Sequence, residues 1–131
     1  MKKLLKLQTF QHGEVPKRGQ GLRIGTTRRP PRGATKAQWN EYFDVWFPVL
    51  APSLALLRRM KRGMTSYADF CSSYERELLA NTESRQALDL LAAIALRMPI
   101  SIGCYCADES TCHRKHLFKL IKRAASKLKL S

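Results

Sequence analysis

Between Pro99 and His116 the chain reads PISIGCYCADESTCHRKH, and this stretch narrows the fold more than any other. Ile100, Ile102 and Cys104 alternate with Ser101, Gly103 and Tyr105. Pro99 stands where a strand tolerates a missing N–H, so the segment reads as a buried strand. Ahead of it, from about Glu83 to Leu96, the apolar residues Ala87, Leu88, Leu91, Ala92, Ile94 and Ala95 predict a broadly buried helix. Behind it, Asp108 to Thr111 reads as a polar turn. Ser110 or Thr111 is then placed to cap a helix that begins near Cys112 and is apolar at Leu117, Leu120, Ile121, Ala124 and Leu128. A strand between two helices is housed most simply in an α/β fold with a short parallel or mixed sheet flanked by helices.

The remaining segments fit that frame. Lys2 to Phe10 is a weak strand pattern, His12 to Gln20 a loop, and Gly21 to Thr26 a short strand with Leu22, Ile24 and Thr26 on one face. Thr27 to Gly33, TRRPPRG, displays Arg28, Arg29 and Arg32 on a loop stiffened by paired prolines. Thr35 and Gln38 make a capping box, and Trp39, Tyr42, Phe43 and Trp46 recur at helical spacing, so Thr35 to Trp46 reads as a helix with an aromatic core stripe. Ser53 caps a short helix that Gly63 ends. Ser66 with Asp69 opens another, with Tyr67, Phe70, Cys71, Tyr74 and Leu78 inward and Glu75 and Glu77 on the wet face. At 131 residues the expectation is one domain, 1–131. In parallel sheets ligands gather beyond the carboxyl ends of the strands. TRRPPRG and CYCADESTCHR both follow predicted strands, so the two loops are expected to meet at one edge.

Charge and cysteine usage bound the partners. The formal net charge is +14. Residues 1–36 hold ten Lys/Arg against Glu14, and residues 113–131 hold seven with no acid, so the excess sits at the two ends. Anionic ligands, nucleic acid among them, are the natural partners, although a solvated basic surface accounts for the charge alone equally well. The four cysteines do not form a small extracellular disulfide framework. No apolar run is long enough to span a membrane, and Met1 to Thr9 lacks a signal-peptide pattern, so a cytoplasmic location is expected. Nothing in the sequence sets the oligomeric state.

Three chemistries suit the Cys/His/Arg loop. The start of a helix offers free N–H groups and a positive field, which favour anions and thiolates. In the first chemistry, Arg28, Arg29, Arg32 and Arg114 bind an anionic, phosphate-bearing ligand, with the lysine-rich final helix adding contacts to nucleic acid; no motif for sequence-specific readout is present. In the second, Cys112 or Cys106 is a nucleophile with His113 as acid/base. The Cys-x5-Arg phosphatase pattern is absent, and Asp108 and Glu109 are turn residues that also offer an acid and a base. In the third, Cys104, Cys106, Cys112 and His113 hold zinc, with His116 as a substitute ligand, although the spacing is not Cys-x2-Cys.

RIGTTRRPPRG, DVWFPVLAPS, FCSSYEREL and SIGCYCADESTCHR together resemble the domain of unknown function 488 family, which includes the YeaO-like proteins. The resemblance covers roughly Leu22 to Leu120. It implies a compact Rossmann-like α/β domain and no settled activity. By position, the family's arginine loop falls on Arg28 and on Pro31, Arg32 and Gly33. Its Leu-Ala-Pro-Ser segment falls on Leu50 to Ser53, and its Cys-His-Arg on Cys112, His113 and Arg114. The YeaO-like branch has Asp and Trp where this chain has Thr27 and Pro30, so any role of that Asp has no owner here. The chain therefore resembles a different branch.

Overall fold

The computed structural model describes residues 5–106 and 108–128. Four parallel strands form one sheet in the order β1-β4-β2-β3: β1 Leu7–Gln11, β2 Leu22–Gly25, β3 Val45–Trp46 and β4 Ile100–Cys104. The α/β fold is as the sequence predicts; of the parallel or mixed sheet that the sequence left open the parallel form is found, and it is a small Rossmann-like architecture. β4 lies between β1 and β2, in register with both from Ile100 onward. A strand paired on both edges and covered on both faces must be apolar or small throughout, and every residue of β4 is buried.

Side-chain alternation gives the two faces different coverings. Leu7, Ile24, Ile100 and Ile102 join the main core with the helices α1 Leu54–Lys61, α2 Tyr67–Ala80, α3 Thr82–Ala95 and α4 His113–Lys127. α4 packs directly on β1 and β4 and against α2 and α3. The opposite face carries Phe10, whose ring lies over Gly103 so closely that a Cβ there would stand 2.5 Å from it. His12 adjoins in the same aromatic layer, 5.5 Å from Phe10, 5.2 Å from Phe43 and 4.7 Å from Tyr105 between ring centroids. Burial pushes His12 down to about 4, so it packs as a neutral ring.

The helix caps at Ser53 and Ser66 form as expected, accepting from the N–H groups of Leu56 and Asp69. Two predicted elements need correction. The helix expected over Thr35 to Trp46 is a 3-10 helix at Lys36–Glu41, still opened by the Thr35 and Gln38 capping box, and is followed by strand β3. Asp44 redirects the chain: its carboxylate accepts from the Arg23 N–H at 2.8 Å, and its own N–H donates to the Arg23 carbonyl at 2.8 Å. The backbone is thereby captured alongside β2 before an α-helix can run on, and of the aromatic stripe only Phe43 is fully buried. Secondly, neither Ser110 nor Thr111 caps the last helix. They lie in a 3-10 turn at Glu109–Thr111, and Cys112 itself is the N-cap residue.

Candidate functional site

Because all four strands are parallel, the loops after β2 and β4 leave the same edge, and they meet as the sequence suggests. They enclose a cavity of about 430 Å³. Thr27, Arg28 and Arg29 form one side, and Cys104, Tyr105, Cys106, Thr111, Cys112 and His113 another. Pro52, Leu54, Leu57, Met60, Lys61 and Phe70 close the third. The walls are thus apolar on the helical side and cationic where Arg28, Arg29 and Lys61 approach. Arg29 also lines an adjoining cleft with Pro30, Pro31, Arg32 and Tyr105.

Three cysteines converge on the cavity. The sulfurs of Cys104, Cys106 and Cys112 all lie within 4.8 Å of one another, and the Cys104 thiol meets the Cys106 sulfur at 3.7 Å. Cys104 ends β4 and is buried, Cys112 begins α4 and is buried, and Cys106 on the loop between them is exposed. That difference in access matters to their acidity. Hydrogen bonding from Cys104, then from Cys112, with Arg114 nearby, holds the Cys106 thiol far below the ordinary range. Hydrogen bonding with Cys104 and Cys106, together with burial, holds Cys112 protonated. Cys104 is likewise raised, first by its bond to Cys106. The cluster therefore presents a single accessible thiolate solvated by two buried thiols, and the thiolate is Cys106 rather than the helix-start Cys112.

His113 is buried beneath the thiols and locked by β2. Its Nε2 lies 2.9 Å from the Thr26 carbonyl oxygen and 3.2 Å from Thr26 Oγ1. A carbonyl oxygen only accepts, so Nε2 carries the proton and Nδ1 keeps a bare lone pair. That lone pair faces the Cys112 sulfur at 3.8 Å. Burial lowers the His113 pKa to about 4, keeping the ring neutral. With Nε2 occupied, His113 stands beside the sulfur cluster with Nδ1 next to the Cys112 sulfur, outside the three-sulfur group.

The arginines divide. Arg114, which the sequence offers as an anion ligand, is buried, and its Nη1 donates to the carbonyls of Cys106 at 2.7 Å and Cys104 at 3.3 Å. It shapes the thiol loop. Arg28 donates from Nε and Nη2 to the carbonyls of Pro52 and Ala51, at 3.2 and 2.9 Å, joining the arginine loop to the Leu50–Ser53 segment. Arg28 is also among the residues lining the cavity. Arg29 and Arg32 are exposed.

Other candidates are employed elsewhere. His116 sits 2.9 Å from Glu75, which also meets Arg123 at 3.4 Å, so it is remote in function from the sulfurs. Glu75 is therefore no free wet-face residue. Nor is Glu77, which accepts from the Ser53 N–H and hydroxyl. Asp108 accepts from the Ser110 N–H and hydroxyl as a turn residue, and the side chain of Glu109 lies outside the described residues. Sequence reasoning missed Tyr67, whose hydroxyl donates to the Cys112 carbonyl at 2.9 Å, and Lys61 at the cavity wall. Both sit on helices whose local pattern says nothing of the distant loop they reach.

A family model described as DUF488-N3a, the active DUF488-N3 subclade, matches residues 7–125. No curated protein and no solved structure matches the chain.

Proposed function

Because the chain belongs to the DUF488 family, and the subclade model it matches is described as active, we propose that it binds an anionic, partly apolar ligand in the strand-end cavity and acts on it through Cys106. The observation that carries this reading is the position of an exposed, acid-shifted thiol inside a cavity with both an apolar wall and a cationic rim. Arg29 and Lys61 attract the anionic group, and Leu54, Leu57, Met60 and Phe70 take the rest. The volume of about 430 Å³ suits a small organic molecule. Cys106 then meets an electrophilic atom of that ligand as a ready-formed nucleophile. Free thiols of this kind persist in a reducing compartment, and the cytoplasm is where we place the reaction. Among the described residues no helix is long and apolar enough to cross a membrane.

Phenyl phosphate joins a ring to a phosphate and is a direct probe. It should protect Cys106 from alkylation by iodoacetamide in a concentration-dependent way. The double variant Arg29→Ala/Lys61→Ala should weaken that protection by about tenfold, ~1.4 kcal/mol. An alkylation rate indifferent to saturating phenyl phosphate would retire the ligand reading. A polyanion such as nucleic acid brings the same phosphate chemistry, and the basic faces outside the cavity would then add to its binding.

A second reading rests on the three converging sulfurs. Around a zinc ion with Zn–S bonds of about 2.3 Å, tetrahedral sulfurs stand about 3.8 Å apart, and the Cys104–Cys106 separation is 3.7 Å. Cys104, Cys106 and Cys112 would hold the ion as thiolates. Protein purified under reducing conditions without chelator would then carry about one zinc per chain, lost in Cys112→Ser. Protein without zinc contradicts this second reading and leaves the thiol chemistry standing.

A further inference from the structure

We propose that Cys104 and Cys106 are a dithiol that reduces hydroperoxides and closes to a reversible disulfide. This activity goes beyond the ligand reading and needs only the two sulfurs. Their separation of 3.7 Å is already a contact, which side-chain rotation can shorten to a bond of about 2.05 Å. The pair is also unequal in access. Cys106 is exposed, whereas Cys104 is 6 % exposed, so an oxidant meets the first sulfur while the second waits behind it.

The third observation concerns Arg114. Side chains two residues apart on a straight strand stand about 6.6 Å apart along it. Here one guanidinium nitrogen donates to the carbonyls of both Cys104 and Cys106, curling the end of β4 so that the two sulfurs converge. The buried Arg114 is thus a positioning residue for the dithiol. Cys112, with 1 % exposure and the His113 ring against it, is the bystander.

The chemistry balances in two steps. The Cys106 thiolate attacks the outer oxygen of a hydroperoxide; the O–O bond breaks, a sulfenic acid forms, and the leaving alkoxide or hydroxide takes a proton from solvent. Cys104 then attacks the sulfenic sulfur, losing its proton as the hydroxyl leaves as water. The hydroperoxide gains two electrons and the dithiol loses two. An external dithiol returns the pair to its reduced state.

The test adds hydrogen peroxide to the full chain, purified under reducing conditions and desalted, then counts free thiols. We expect a fall from the four free cysteines to two, reversed by dithiothreitol, with fragment-ion mapping placing the bond between Cys104 and Cys106. Cys71→Ala, which removes the cysteine outside the cluster, should lose two thiols in the same way. Cys104→Ser should stop at a Cys106 sulfenic acid trapped by dimedone. The wild-type mapping decides the matter even where Cys104→Ser folds poorly. A bond from Cys106 to Cys112, over-oxidation of Cys106 without any disulfide, or a zinc-filled cluster inert to peroxide would each overturn the proposal. None of these readouts involves a phosphate ligand, so failure here and failure of the ligand reading are separable.

Discussion

Cys106→Ser removes rapid alkylation of the native protein, by on the order of 100-fold at mildly acidic pH, because the cysteines it leaves behind are buried. Cys71, Cys104 and Cys112 are all buried, so iodoacetamide reaches none of them readily in the folded chain. In the wild type, the depressed Cys106 pKa makes the alkylation rate nearly flat from about pH 5 to 8. An ordinary thiol, with a pKa of about 8.5, gains about tenfold per pH unit over that range. The sign follows from the direction of the shift: Cys106 is already a thiolate in this window, so raising the pH adds no more nucleophile. Cys112→Ser keeps the labelling but moves its acidic inflection upward, since a serine hydroxyl at the buried site no longer provides the same sulfur contact to Cys106. The measurement is the iodoacetamide rate against pH for the three proteins. Labelling that survives in Cys106→Ser and disappears in Cys112→Ser would reverse the assignment of nucleophile.

That assignment marks how far the sequence could be read. Alternation placed β4, periodicity placed α1 to α4, and the order of helices around β4 implied a parallel or mixed sheet, whose parallel form brings TRRPPRG and the cysteine loop together. Those properties are local or topological. Which cysteine faces solvent is neither, since it depends on Arg114 turning back to hold two loop carbonyls and on α4 burying the residue at its own N-cap. An arginine next to a predicted anion site looks like an anion ligand until its partners are known. The same limit explains the segment after Gly33. Its aromatic spacing favours a helix locally, while a carboxylate–amide bond between Asp44 and Arg23, 21 residues apart, decides for a strand. Glu75 likewise reads as a wet-face residue and His116 as a substitute zinc ligand, because their pairing joins α2 to α4 across 41 residues.

Gly21→Ala should destabilise the fold by about 3–5 kcal/mol, in the range reserved for a severe steric and backbone conflict. Gly21 has φ +64°, and a Cβ there would stand 1.9 Å from the Pro99 carbonyl oxygen and 2.5 Å from its carbon. The obstacle is backbone, so no rotamer change relieves it. The same Pro99 oxygen accepts the Leu22 N–H at 3.2 Å, and Ser101 Oγ donates to the Gln20 carbonyl at 2.7 Å, so this close approach sets the register of β2 against β4. Moving β2 also moves Thr26, which holds His113 at the far end of the same strand. Gly33 supplies the control: it too has positive φ, +77°, but a Cβ meets nothing within 4 Å. Gly33→Ala should therefore cost only the left-handed backbone penalty of about 1–2 kcal/mol. Urea unfolding of the two variants separates backbone conformation from contact. Equal losses would mean that the approach of Gly21 to Pro99 does not fix the strands, and with them the edge on which the thiols and arginines meet.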